Sequence, residues 1–216
     1  MMEKVDADAA HRPTLSSQYI SSVEVGGTYA HLFFRLLNFL ELPALVITDI
    51  DSIRGTHEQA CKVSEGTGTS NACIRKWFNS GREIRPEALS AKADAEKINK
   101  GIRLAYQVPE KANVPCGRSF EQSFILANPT MFGLDTTASH DTEEKAWAAA
   151  EKISKKSDFA LKYGINETNW ITPRYIAEGL RWLRDEARWP AVADTTADDT
   201  AAEKAKAPAA QPEAAE

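Results

Sequence analysis

A strand–helix–strand pattern near the N-terminus constrains the fold of this chain more than any other feature. QYISSVEV (18–25) favours a strand, and Gly26-Gly27 would end it. Apolar residues then recur at helical spacing until Pro43, and ALVIT (44–48) predicts a second strand, apolar on both faces. This order predicts a βαβ unit with parallel strands and a right-handed crossover. Because a strand apolar on both faces suits a sheet covered on each side, the predicted fold class is α/β, with a parallel sheet flanked by helices.

The rest of the chain predicts further helices and one more strand. Two helix starts carry capping signals: Asp141 with Glu144 forms a plausible capping box, and Thr172 precedes Pro173 as a plausible N-cap. The predicted elements are a short helix over 72–78 after Asn71, a polar helix over 86–100, a strand over 102–108, a helix over 117–129, a helix from Asp141 into the 150s with its pattern continuing to Gly164, and a last helix from Thr172.

Composition divides the chain into a body and a tail. Residues 191–216 contain eleven alanines and no aromatic residue, and they hold four more acids than lysines. Such a segment buries too little apolar surface to offset its ordering entropy, so we expect it to be disordered. The formal charge of −5 therefore leaves about −1 for the body, which neither suggests nor excludes nucleic acid. We expect a helix-like segment over 1–14 and one domain over 15–190.

Nothing in the sequence suggests export or a membrane. The three cysteines, Cys61, Cys73 and Cys116, have no metal-ligand spacing and are expected to be reduced thiols. No apolar run approaches the roughly 18–20 residues that a bilayer requires, and the N-terminus lacks the apolar core of a signal peptide. We therefore expect a cytoplasmic protein that does not bind membranes.

Two acids, Asp49 and Asp51, directly follow the second predicted strand. Ligands of open α/β sheets bind outside the carboxyl ends of the strands, and in an extended chain these two side chains would point to one side. Two close carboxylates repel each other unless a cation lies between them, and Mg²⁺ takes oxygen ligands of this kind. Equally, Asp49 can cap the strand and Asp51 can begin a turn, and the spacing alone does not decide between these roles.

Glu24 and Gly26-Gly27, at the end of the first predicted strand, can likewise be interpreted either as site residues or as ordinary structural residues. Glu24 would lie beside the Asp pair if the two strands are adjacent, but alone it reads as an exposed charge at a strand end. Gly26-Gly27 could bring backbone N–H groups near a phosphate. It lacks the third glycine of a dinucleotide motif and the lysine of a P-loop, so a tight turn is the simpler interpretation.

Four blocks in order resemble a known family. They are VEVGGTYAHLFFRLLNFLELPALVITDIDSI, GRSFEQSFILANP, KKSDFALKYGI and NWITPRYIAEGLRWL, within about residues 15 to 188. Together they resemble the C-terminal nuclease part of the OLD (overcoming lysogenization defect) family. Its members are ATP-dependent endonucleases in which an ABC-type ATPase precedes a Toprim domain, so the resemblance implies a Toprim-like fold with added C-terminal helices, and DNA as substrate.

The resemblance also implies a metal site. Asp49 and Asp51 match the Toprim DxD, whose carboxylates are Mg²⁺ ligands in the family, and Mn²⁺ would serve in the same place. Ser119 and Glu121 in GRSFEQ match further groups near two metal ions. Lys156 in KKSDFAL matches a lysine that stabilises phosphate charge. Without the resemblance, Glu121 and Lys156 would read as solvated helix residues.

One family feature is missing from the sequence. A Toprim domain opens with a strand that ends in a catalytic glutamate, in a Val-Glu-Gly type motif, and no such motif precedes Gly26. Glu24 is a candidate substitute, although the family strand that it matches follows the glutamate strand. No Walker motif is present either. We therefore expect a part of a longer protein, whose ATPase region would be a partner and would mediate any homodimer.

Three functions follow from these observations. The first is metal-dependent endonuclease activity on DNA, with Asp49, Asp51 and Lys156 as catalytic residues. The second is a non-catalytic Toprim remnant that acts within an assembly. The third is a phosphatase like the haloacid dehalogenases, which also place DxD after a strand. That class needs a later acidic pair, and the only Asp-Asp, Asp198-Asp199, lies in the tail.

Overall fold

The computed structural model describes residues 1–7, 13–134 and 139–186. The expected tail, 191–216, lies outside the described residues, as does part of the expected N-terminal segment. Eight α-helices and six short strands occur in the described part of the chain. The helices are α1 (Met2–Ala7), α2 (Phe34–Leu40), α3 (Ala72–Trp77), α4 (Pro86–Ser90), α5 (Phe120–Ala127), α6 (Ser139–Glu151), α7 (Lys156–Leu161) and α8 (Arg174–Glu186). The strands are β1 (Ala44–Ile47), β2 (Ser52–Arg54), β3 (Gln59–Ala60), β4 (Gly68–Thr69), β5 (Ile98–Asn99) and β6 (Ile102–Ala105).

Short turns of tighter or wider helix connect several of these elements. The 3₁₀-helices are Leu15–Ser17, Gly27–Phe33, Val63–Glu65, Asp94–Lys97 and Pro129–Phe132, and a π-helix spans Lys162–Asn166. No helix among the described residues has both the length and the apolar character needed to cross a bilayer.

The main sheet has the strand order β1-β6-β5. β1 and β6 are parallel, with Ala44 opposite Ile102 and Ile47 opposite Ala105. β5 and β6 form an antiparallel hairpin through Lys100 and Gly101, both of which have positive φ. A second, antiparallel sheet has the order β3-β2-β4 and begins at the turn that follows β1. The predicted strands over 44–48 and 102–108 are therefore confirmed, although both are shorter than expected.

Helices cover both faces of the main sheet, which confirms the α/β prediction. Adjacent β1 residues point to opposite cores, because Val46 packs in one cluster and Leu45 against the other. The first core lies under α2, α3 and α4, and the second lies under α8 and α1. The first contains Val46, Ile50, Ile74, Leu89, Ile102, Leu104 and Tyr106, and the second contains Val5, Leu15, Ala105, Val108, Ile176 and Leu180.

The predicted strand over 18–25 is wrong. This segment has no regular secondary structure and makes no ladder hydrogen bonds, and the parallel partner of β1 is β6. Only Ile20 and Val25 pack partly against the cores, while Tyr19 is 98% exposed and Val23 is 74% exposed. The segment thus gains little burial to offset the cost of ordering a strand. The helix that follows it begins as the 3₁₀-helix and becomes α2 at Phe34.

Two other local predictions needed correction, and a third is confirmed. The polar helix over 86–100 ends at Ser90, because residues 98–99 pair with β6 instead. α6 already begins at Ser139, so Asp141 is no N-cap and forms an ion pair with Lys145, with Oδ2 2.6 Å from Nζ. The predicted helix over 72–78 is confirmed as α3, with Asn71 as its N-cap.

The start of α8 is capped by a residue that the sequence did not suggest. The Thr172 hydroxyl has no hydrogen-bond partner within the described structure, so it does not act as the predicted N-cap. The carboxylate of Glu110 accepts hydrogen bonds from the Arg174 backbone N–H instead, at 3.0 and 3.2 Å. Pro173 does lie in the first turn, where its carbonyl accepts from Ile176 and Ala177.

Candidate metal centre

Asp49 lies just beyond the carboxyl end of β1, as the sequence predicted. The Thr48 N–H continues the parallel ladder by donating to the Ala105 carbonyl, at 3.0 Å. Asn71 then holds the turn, because its Nδ2 donates to Thr48 Oγ1 at 2.8 Å and to the Asp49 carbonyl at 2.7 Å. The same side chain caps α3 through Oδ1, so the helix and the strand end share one buried amide.

Gln107 contacts the Asp49 carboxylate from the segment that follows β6. Its Nε2 donates to Oδ1 of Asp49, and its Oε1 accepts from the Ile50 N–H at 2.7 Å. The Gln107 side chain is fully buried, with Tyr175 Oη 3.3 Å from Nε2. The register of β1 and β6, with Ile47 opposite Ala105, brings Gln107 level with Asp49.

Asp51 adopts a different backbone conformation from the one expected. Its φ is +50°, so the chain is not extended and the argument that side chains i and i+2 share one side does not apply. The conformation is held from two sides, since the Asp51 N–H donates to the Arg118 carbonyl and its carbonyl accepts from the Ser70 N–H, both at 3.1 Å. The Arg118 guanidinium also lies 3.5 Å from Asp51 Oδ1.

Glu121 and Lys156 form an ion pair between α5 and the start of α7. Lys156 Nζ lies 3.1 Å from Glu121 Oε1, and the Glu121 side chain is 10% exposed while that of Lys156 is 73% exposed. Ser119 is the N-cap of α5, and its Oγ accepts from the Gln122 N–H at 3.5 Å. Its hydroxyl therefore serves the helix start.

The predicted acids and Lys156 act on one another electrostatically. The pKa of Asp49 is raised to about 6, first because burial disfavours the charged carboxylate and second because of the negative charge of Asp51. Glu121 raises this pKa further, whereas the Gln107 hydrogen bond and the positive charge of Lys156 lower it. Four of the six predicted site residues thus share one neighbourhood at the carboxyl end of β1.

This donor set suits a hard divalent cation in chemistry and charge. Carboxylate oxygens are the ligands that Mg²⁺ prefers, and a cation would relieve the repulsion that raises the Asp49 pKa. In the described residues, however, no three His, Cys, Asp or Glu side chains converge as a ligand group. Asp49 and Asp51 are the candidate pair, with the Arg118 guanidinium 3.5 Å from Asp51, while Glu121 is paired with Lys156 at 3.1 Å.

Glu24 is not joined to this pair. Its side chain is exposed, and none of the hydrogen bonds or ion pairs of the described residues connects it with Asp49 or Asp51. Gly27 does approach the strand end, since a Cβ there would lie 2.8 Å from Thr48 Oγ1. The glycine pair therefore brings the start of the 3₁₀-helix close to β1, in agreement with a tight turn.

The sequence does not single out the three polar residues that hold the strand-end acids: Asn71, Gln107 and Arg118. A signal for Gln107 exists, because parallel pairing of 44–48 with 102–108 would set it opposite Asp49. The βαβ pattern instead favours pairing of 44–48 with residues 18–25. Asn71 was recognised only as a helix start, and Arg118 had no signal beyond its place before Ser119.

Comparison with known proteins gives two matches. Residues 3–51 match the family described as overcoming lysogenization defect protein-like, TOPRIM domain. The chain is also 32% identical to Endonuclease GajA of Bacillus cereus (strain HuB5-5) over 202 residues, which cover 78% of this chain and 28% of that protein. The chain belongs to the OLD-like Toprim family.

The Toprim match ends at Asp51 and so contains both acids that follow β1. Ser119, Glu121 and Lys156 lie beyond the matched segment. The chain spans little more than a quarter of the length of the curated relative. No solved structure matches it.

Proposed function

We propose that this chain supplies the metal-binding, phosphodiester-cleaving site of a DNA endonuclease. One observation carries the proposal: the DxD within the Toprim match lies at the carboxyl end of a parallel strand, where Asp49 is partly buried beside Asp51. The name of the relative, an endonuclease, supports the same reaction and substrate.

In this proposal Asp49 and Asp51 hold Mg²⁺ or Mn²⁺, and Glu121 and Ser119 border a second ion. When bound, such ions activate a water and stabilise the charge that develops on the leaving oxygen. Gln107 and Asn71 keep the Asp49 carboxylate and backbone in place before any ligand arrives. Glu121 becomes available only if Lys156 moves its ammonium group away from Oε1.

Lys156 has the charge and the exposure for contact with a phosphate. Its ammonium group extends into solvent next to the acids, so a DNA phosphate can compete with Glu121 for it. Transfer of Lys156 to the phosphate would neutralise developing negative charge there and would release Glu121 toward the metal site. The two residues would thereby act as one exchangeable pair.

The wider assembly is part of the same proposal. A longer protein would add an ABC-type ATPase region and would dimerise through it, in the cytoplasm. We propose that Glu24 does not replace the missing Toprim glutamate, since it is exposed and unconnected to the Asp pair. The isolated chain should therefore nick DNA very slowly or not at all. A chain with no activity in any context would match the alternative of a non-catalytic Toprim remnant.

The test is nicking of supercoiled plasmid by this chain and by a version that carries an upstream Val-Glu-Gly strand, each with Mg²⁺, Mn²⁺ or EDTA. The extended version should nick only with metal, and Asp49→Asn or Lys156→Ala should abolish nicking. Lys155→Ala is the matched control, because Lys155 is equally exposed but pairs with Asp158. Metal-independent nicking, or equal loss in the Lys155 and Lys156 variants, would contradict the proposal. Robust nicking by the chain alone that Glu24→Gln stops would make Glu24 the missing glutamate.

The phosphatase alternative has no support from the described residues. Its required second acidic pair, Asp198-Asp199, lies outside them, and the matched family is Toprim.

A further inference from the structure

Gln107 is the only described side chain that donates a hydrogen bond to the Asp49 carboxylate. It reaches that carboxylate from the segment directly after β6, two residues past Ala105, and it is fully buried. Its oxygen and its nitrogen are both used, since Oε1 accepts from Ile50 N–H and Nε2 donates to Asp49 Oδ1. One amide thus connects the backbone after Asp49 with the side chain of Asp49 itself.

The orientation of this amide follows from its partners. A flipped amide would set an NH₂ group against the Ile50 N–H, donor to donor, and would set a carbonyl oxygen against the Asp49 carboxylate. Both contacts would be repulsive at buried positions, where an unmade hydrogen bond costs most. Only the observed orientation satisfies both neighbours. The Gln107 NH₂ group therefore has to face Asp49.

We propose that Gln107 is a positioning residue that occupies Oδ1 of Asp49 and leaves Oδ2 as its one metal-binding oxygen. This inference rests on the proposed metal site and adds the mode of binding to it. The amide uses one lone pair of Oδ1 and fixes the plane of the carboxylate, so a contact of both oxygens with one ion would have to compete with this hydrogen bond. Coordination through Oδ2 alone is therefore favoured.

Monodentate coordination favours one class of ion over another. Mg²⁺ requires near-octahedral geometry with short, single-oxygen contacts, whereas Ca²⁺ readily accepts both oxygens of one carboxylate. The Gln107 amide should therefore select Mg²⁺ or Mn²⁺ against Ca²⁺. Tyr175 helps to fix the Gln107 amide, because its Oη accepts a hydrogen bond from Gln107 Nε2 at 3.3 Å. The Tyr175 ring itself is buried in the second core.

The experiment measures Mn²⁺ binding to the chain by electron paramagnetic resonance, with Mg²⁺ and Ca²⁺ as competitors, at a fixed pH of about 7.5. Gln107→Met keeps the length of the side chain and removes both hydrogen bonds. We expect its Mg²⁺ affinity to fall by roughly tenfold or more, as when an outer partner of a metal ligand is lost. Its Ca²⁺ affinity should fall much less, so the ratio of the two affinities should change in favour of Ca²⁺.

Asn128→Leu is the control for general destabilisation. Asn128 is a buried amide that hydrogen bonds only with the backbone of Phe124 and Ile171, away from Asp49. It should lower the melting temperature and leave the affinity ratio unchanged. If Gln107→Met does not fold, Tyr175→Phe takes its place, because it removes only the hydroxyl and should change the ratio in the same direction by a smaller factor.

Each outcome decides the proposal. If Mg²⁺ and Ca²⁺ affinities fall by equal factors, or neither changes, in Gln107→Met or its replacement, Gln107 is merely structural. If the wild type and Asp49→Asn bind Mn²⁺ with equal affinity, the proposed metal site and this inference are both overturned. Asp49-dependent binding with an unchanged ratio in the Gln107 variant would overturn this inference alone.

Discussion

The two ends of β1 are stabilised in opposite ways. Beyond its carboxyl end, the almost fully buried side chains of Asn71 and Gln107 and the carbonyl of Arg118 fix the backbone. Before its amino end, the segment 18–42 exposes much of its apolar surface, with Phe39 81% exposed. Precise polar contacts therefore define the candidate site, while the apolar segment that leads to it leaves several large side chains exposed.

The exposed apolar residues of this leading segment lie on one side of its helix. Phe34 and Leu37 pack against the first core, whereas Leu32, Leu36 and Phe39 are at least half exposed. β1 also has hydrogen-bonded pairing along one edge only, the edge toward β6, within the described residues. Part of the apolar surface in this region is therefore not buried by packing. At the carboxyl end of β1, in contrast, the two buried side-chain amides that fix the backbone have hydrogen-bond partners.

The largest predicted effect is at Asn71, which belongs to the polar end. Asn71→Ala removes the N-cap of α3 and leaves the Asp49 carbonyl and Thr48 hydroxyl without their donor. A lost cap and buried unsatisfied groups together should lower the free energy of unfolding by about 3 kcal/mol. Urea denaturation measures this. Ser70→Ala is the neighbouring control and should cost far less, since the exposed Ser70 hydroxyl makes only a long contact to the Asp51 carbonyl.

Gly27 lies where the leading segment 18–42 meets Thr48 at the carboxyl end of β1. Its substitution therefore tests whether these two regions are closely packed. An added Cβ would lie 2.8 Å from Thr48 Oγ1 and 3.6 Å from Thr48 Cα. Gly27→Ala should therefore cost about 2 kcal/mol by overpacking. Gly133→Ala separates overpacking from a strained turn, because a Cβ there meets nothing within 4 Å but φ is +64°. An equal melting temperature of Gly27→Ala and wild type would show that the leading segment can move away from β1.

A half-buried acid beyond β6, Glu110, predicts a pH dependence of the stability. The pKa of Glu110 is raised to about 7, mainly because burial disfavours its charge and also because of Glu178, while the Arg174 N–H and charge oppose the shift. The folded state therefore keeps this proton to higher pH than the unfolded chain does. The stabilising contribution is complete below about pH 4.5 and is lost as the pH rises through 7.

The measurement is urea unfolding of wild type and Glu110→Gln at pH 5 and pH 7.5. The wild type should lose roughly 2 kcal/mol more than the variant over this interval, given about 1.4 kcal/mol for each unit of pKa difference and partial exposure of the group. Parallel pH profiles for the two proteins would mean that Glu110 has an ordinary pKa in the folded state.

The contrast between the two ends of β1 also explains which parts of the fold could be predicted from the sequence. ALVIT and IRLAYQV read correctly as strands because both are short, mainly apolar segments that end at a breaker or at acids. QYISSVEV has the same β propensity but finds no partner strand, and propensity alone cannot show that. The pairing of β1 with β6 depends on contacts across more than fifty residues, so the sequence located Asp49 but not Gln107.

The smallest predicted effect is at Phe39, on the exposed side of α2. Phe34, on the packed side of the same helix, provides the comparison. Phe34 packs against the first core and meets the Trp77 ring edge to face at 5.4 Å, whereas Phe39 is 81% exposed. Phe34→Ser should lower the free energy of unfolding by about 1.5 kcal/mol, since Phe34 is half-buried, and Phe39→Ser should change it by no more than about 0.5 kcal/mol. Urea denaturation of both variants at two protein concentrations measures the difference. A large cost for Phe39→Ser that grows with protein concentration would show that this side of α2 is buried in solution, and the contrast between the two ends of β1 would then not hold for the protein in solution.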